Sequence, residues 1–161
     1  MITVKEIEKV FSPTWDKEIL RKIKCFADFI GCDAEDIEDI GIDDDGEVLT
    51  FYGDAYYVLT DDQADEKVGK YIKETVWAFN SNFIAGHCSD GIHEEHITAL
   101  RGDSCEDVND ALIALIEAGN GMKHFIDDAV GCDGRGHYIN NYDGNENEVQ
   151  IDGIDFFIYH A

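Results

Sequence analysis

The stretch DGRGHYINNYDGNENE, Asp133 to Glu148, gathers an arginine, a histidine, four carboxylates and three glycines into sixteen residues. Asp133, Arg135, His137, Asp143 and Glu146 are side-chain types that hold a hard cation or pass a proton between an acid and a base. The spacing matches no calcium loop. Counting from Asp143, the third and fifth positions are Asn145 and Asn147, but the sixth is Glu148 where glycine is needed, and the twelfth is Ile154 where a bidentate glutamate belongs. Gly134, Gly136 and Gly144 each follow a residue suited to tight turns, as a corner between a helix and a hairpin requires. The segment reads first as a structural turn, with Asp133, Arg135, His137, Asp143 and Glu146 as a reserve site.

Other candidate chemistry falls short in a similar way. IDDDGEV (Ile42 to Val48) sets Asp43, Asp45 and Gly46 at the third, fifth and sixth places of a calcium loop, yet Gly41 and Tyr52 occupy the two anchoring places. His87, Cys88, His93 and His96 bring zinc-type ligands within ten residues. However, HEEH spaces its histidines three apart, not four, and no C-x-x-C completes a structural site. The chain has no G-x-S-x-G, no cysteine with a nucleophile signature and no phosphate-binding loop. The expectation is a protein with no metal and no cofactor, leaning away from enzyme chemistry.

Charge dominates the composition. Thirty-six acids against twelve bases leave a net −24 in 161 residues. Residues 1–24 carry six bases and four acids, so the rest holds six bases against thirty-two acids. Such a body repels phosphate backbones and anionic lipid, which excludes direct binding to nucleic acid or a membrane surface and favours a basic protein partner. No apolar run approaches the ~20 residues of a membrane span. The odd count of five cysteines, with no C-x-x-C, suits free thiols in a reducing cytoplasm.

The elements that must position these residues read as one domain over 1–161, with a basic-leaning helical part at 1–31 and an acidic α+β core at 47–161. Residues 3–11 and 14–31 have helical periodicity, the second ending at Gly31. CDAEDIEDIGIDDDGE is an acidic connector with a short helical turn. EVLTFYGDAYYVLT predicts a hairpin around Gly53-Asp54. Thr60-Asp-Asp-Gln63 fits a capping box opening a helix that runs to about Ala85, with Asp61, Asp62, Asp65 and Glu66 at its dipole-positive start. HEEHITAL reads as a short helix, and Ser104 to Asp107 opens another that GNG (Gly119 to Gly121) ends. A further helix passes through Phe125, Ile126 and Ala129. EVQI and IDFFIYH form a closing hairpin about Asp152-Gly153, with one face buried and the other partly aromatic. Pro13 gives no linker signal. The order predicts an α+β fold, its helices packed on a small, mainly antiparallel sheet built from two hairpins.

A compact chain of this length is about 40 Å across, and a duplex of that length carries about 24 phosphates. The protein's charge is therefore that of a DNA segment as long as itself, enough to compete for a basic groove. Asp43, Asp44, Asp45, Asp61, Asp62, Asp65 and Glu66 are the expected partner-binding residues, because two clusters flank one hairpin. Twenty-two Asp against fourteen Glu and nine Lys also suits a halophile's solubility habit, which keeps open an acidic halophile-type or metal-dependent small enzyme with its site at Asp133–Glu148.

LTDDQADEKVGKYIKETVWAFNSNF (Leu59 to Phe83), DGRGHYINNYDGNENEV (Asp133 to Val149) and FFIYH (Phe156 to His160) resemble a group of bacteriophage proteins with no assigned chemistry. There the last tyrosine is commonly followed by arginine, whereas here His160 follows Tyr159. The resemblance implies phage origin and a place in the host cytoplasm. Together with the charge it gives the expected function: an acidic, non-enzymatic inhibitor of the DNA-mimic type, anti-restriction or anti-CRISPR. Its partner would be a basic, nucleic-acid-binding nuclease of the host, and a homodimer is left open.

Overall fold

Two hairpins set the architecture, each closed by a residue-glycine pair at positive φ. The computed structural model describes residues 1–11 and 14–161, so Pro13 lies outside the described residues. β2 (Val48–Phe51) turns into β3 (Asp54–Thr60), and β4 (Asn147–Ile151) into β5 (Ile154–His160). The second turn is the expected Asp152-Gly153, at φ 53° and 79°. The first is one residue earlier than expected. Phe51 pairs with Asp54, leaving Tyr52-Gly53 as the loop, at φ 48° and 94°. Positive φ at both central positions gives the turn whose twist matches that of the strands it joins.

β1 (Gly41–Ile42) joins these strands in one antiparallel sheet of order β1-β2-β3-β5-β4. The fold is α+β, as the element order predicts. Two details differ from the sequence reading. β1 lay inside what reads as an acidic connector, and β5 is buried on both faces from Phe156 to Tyr159. β5 is hydrogen-bonded on both edges, by β3 and β4, and the burial of both its faces matches its near-continuous apolar run.

The chain divides into two compact units, 1–65 with 139–161, and 66–138. In the first, α1 (Val4–Phe11) and α2 (Lys17–Ile30) enclose a core with the sheet, through Ile7, Ile23, Phe26, Leu49, Val58 and Phe156 among others. Asp16 caps α2 by accepting the Glu18 amide at 2.9 Å, and Gly31 ends it at φ 67°.

The second unit is helical. The helix expected to reach Ala85 breaks instead into α3 (Asp61–Glu74), a 3-10 turn at Val76–Ala78 and α4 (Ser81–Gly86). The break is held by side chains from remote positions. Arg101 Nη1 donates to the carbonyls of Trp77 (2.9 Å) and Phe79 (2.6 Å), and Asn109 accepts the Trp77 amide while donating to the Lys73 carbonyl. Asn80 then caps α4. α5 (Glu94–Arg101), α6 (Asn109–Ala118), α7 (Met122–Asp133) and α8 (Arg135–Ile139) follow. Val76, Ile84, Ile97, Leu112, Ile116 and Phe125 are buried in this unit.

Candidate functional site

The sharpest polar arrangement in the first unit is built on Lys22. It lies on the apolar stripe of α2 beside Ile19, Ile23 and Phe26, and is 1% exposed. Its ammonium donates to the Gly46 carbonyl (3.2 Å) and to Gln63 Oε1 (2.7 Å), with Glu18 Oε1 at 3.7 Å. Gly46 belongs to the acidic loop before β2, and Gln63 to the first turn of α3. One buried cation therefore ties together the two segments that carry the predicted acids.

Each segment is also fixed locally. Asp43 Oδ1 accepts the amides of Glu47 and Val48, at 2.9 and 3.0 Å, which closes the loop. Gly46 sits at φ 71° with Ile19 against it, where any side chain would be strained. Thr60 and Gln63 form the expected capping box: the Gln63 amide donates to Thr60 Oγ1 (3.4 Å) and the Thr60 amide to Gln63 Oε1 (3.0 Å). Gln63 Nε2 donates in turn to Glu18 at 3.3 Å, drawing a further carboxylate in. Burial pushes the Lys22 ammonium below its ordinary pKa, while the charges of Glu18, Glu47 and Asp43 act the other way.

Asp43, Asp44, Asp45, Asp61, Asp62 and Asp65 are all exposed within this unit, whereas Glu66, also exposed, begins the second. Lys22, Glu18 and Gln63 are the members that sequence reasoning missed as site residues. The available signal was a lysine on an apolar helix stripe, one turn after a glutamate.

The reserve residues divide between the two units. Asp133, Arg135 and His137 fall in the second unit, Asp143 and Glu146 in the first. Asp133 and His137 line a hollow of about 360 Å³ with Tyr71, Trp77, Phe79 and Tyr138. There the Tyr138 hydroxyl donates to Asp133 Oδ2 (3.1 Å) and the Ala129 carbonyl (3.3 Å). Burial, then the Asp133 hydrogen bond, pushes this phenol well above its ordinary value, so it fastens the end of α7 and is poorly matched to acid–base work near neutrality. Arg135 opens α8. Asp143 accepts the Asn145 amide (3.0 Å) and carboxamide (2.7 Å), which holds its carboxyl below the usual range, and Glu146 accepts the Tyr159 hydroxyl. These contacts are those of a corner.

The histidines of residues 87–96 separate. His93 and His96 sit at the start of α5, exposed, with the His93 amide donating to His96 Nδ1 (2.9 Å). His87 is buried at the end of α4, where Asp128 Oδ2 lies 2.9 Å from its Nε2. No protein-family model, curated protein or solved structure matches the chain.

Proposed function

We propose that the chain is a non-enzymatic, acidic inhibitor, phage-encoded, that occupies the basic nucleic-acid-binding surface of a host defence nuclease of the restriction or CRISPR kind. The observation that carries this reading is the Lys22 tie. It fastens the Asp43–Glu47 loop to the first turn of α3, so Asp44, Asp45, Asp61 and Asp62 belong to one preorganised acidic region. Preorganisation matters because a partner's Lys and Arg gain most from carboxylates already ordered. With a net −24, the same charge steers a basic partner in and repels nucleic acid itself.

The test uses Asp44→Lys, Asp45→Lys and Asp62→Lys together, none of which touches the Lys22 contacts. Immobilised wild-type protein should retain a nucleic-acid-binding protein from host lysate at low salt and release it to added DNA. The triple variant should bind that partner more weakly, with a shallower dependence on salt. Unchanged affinity in the variant, or a partner that DNA does not release, would remove this face from the function.

A further inference from the structure

We propose that His87, His124 and Asp128 form a binding site for a divalent first-row transition-metal ion of the zinc type. Their ligand atoms all lie within 4.8 Å of one another, and among the described residues this is the group of three or more metal-ligating side chains that converges. Asp128 Oδ2 is 2.9 Å from His87 Nε2 and 3.2 Å from His124 Nδ1. Two atoms bound at about 2.0–2.2 Å to a common ion in tetrahedral geometry stand about 3.3–3.6 Å apart, so the 3.2 Å separation already approaches that of ligands sharing a metal and the 2.9 Å one has to open by about half an ångström.

Donor and acceptor arithmetic sharpens the point. His87 Nδ1 lies 2.9 Å from the Phe83 carbonyl, which can only accept, so this nitrogen carries the proton. In the neutral ring Nε2 is then a lone pair, yet it faces a carboxylate oxygen, another acceptor. Something positive must stand between them. A second ring proton on His87, with His124 donating its own Nδ1–H, would satisfy that oxygen; a metal ion held by all three side chains satisfies it equally and leaves both rings neutral. Donating the other ring N–H to a backbone carbonyl is also how metal-ligating histidines are usually oriented.

The scaffold holds these groups in place. His124 and Asp128 are four apart on α7, hence on one helical face. His87 is clasped between Phe83 and Phe125, at ring distances of 4.7 and 5.1 Å. Its carbonyl accepts the Asn120 amide at 2.9 Å, and Gly119 approaches so closely that an added Cβ would stand 2.4 Å from that oxygen. His87 is thus a pinned ligand, while His124 and Asp128 are partly exposed and leave a coordination position toward solvent. Two imidazoles and one carboxylate suit zinc and its neighbours, whereas calcium asks for six or more oxygens. The site does not rest on the acidic-inhibitor reading.

The test is equilibrium dialysis of the full chain, stripped with chelator, against Zn²⁺ in excess Mg²⁺, with Co²⁺ as a spectroscopic probe. One ion per chain should be retained, and Co²⁺ should give a visible band. His124→Ala and Asp128→Asn, both at partly exposed positions that spare the fold, should each weaken binding by about a hundredfold, the upper end of what disturbing an outer partner does. His93→Ala with His96→Ala should bind as wild type. Retention equal in wild type and His124→Ala would mean adventitious binding to surface carboxylates and would overturn the site. So would no retention at all, which would leave a proton between His87 and Asp128.

Discussion

Lys22 shows how much one side chain organises in this protein. Its ammonium is buried yet surrounded by oxygens of Gly46, Gln63 and Glu18. Lys22→Met keeps most of the volume and removes the donor, leaving the Gly46 carbonyl unpaired. It should destabilise the fold by about 2 kcal/mol in urea unfolding, the scale of a hydrogen bond to a charged group. An equal or higher stability would mean that desolvating the ammonium outweighs its hydrogen bonds. The pH dependence has a definite sign. Burial lowers the folded-state pKa of Lys22, so as pH rises through that value toward 10.5 the unfolded chain holds a proton that the folded one has released. Wild type should therefore gain on Lys22→Met across that window, and the gap should be flat below it.

Among the elements, hairpins and caps were legible because their signals are local. Asp152-Gly153 and the Thr60–Gln63 box each sit within four residues of sequence and fold as read. The first hairpin slipped by one because tyrosine is a poor advertisement for positive φ. Here Tyr52 adopts it while its hydroxyl donates to Asp39 Oδ2 at 3.2 Å. The break after α3 was illegible for the opposite reason: apolar periodicity continues through Val76, Phe79 and Phe83, and what interrupts it comes from Arg101 and Asn109. Arg101→Lys tests that account, since a point ammonium cannot span the Trp77 and Phe79 carbonyls and Ser81 together. A loss of about 2 kcal/mol is expected, with faster amide exchange in α4. Wild-type exchange in the variant would shift the cause of the break to local sequence. The same locality explains the candidate sites. The acids of α3 and the preceding loop were readable as runs, but Glu18 and Lys22 join them only through tertiary contact. Likewise His87 was readable as a ligand type and its partners, some forty residues on, were not.

For the whole molecule, a net −24 makes self-repulsion a standing load on the folded state. Raising salt from about 0.01 M to about 0.15 M shortens the screening length from about 30 Å to about 8 Å. If screening returns about 1 kcal/mol, the Tm should climb by roughly 3 °C in a differential scanning experiment. A protein that folds only in molar salt would instead support the halophile reading, and a Tm indifferent to salt would mean the charges are already compensated. The division of the chain also sets a schedule during synthesis. The first unit takes residues 1–65 and 139–161, with the whole of 66–138 between them. β3 therefore emerges from the ribosome with one hydrogen-bonding edge open, and its partner β5 begins only after more than ninety further residues. At about 5–20 residues per second that wait lasts seconds, long beside the microseconds of hairpin closure. During it the nascent strand presents Val58 and Leu59, buried in the finished protein, along an unpaired edge. The same acidic charge that loads the folded state would then keep nascent chains on a polysome apart.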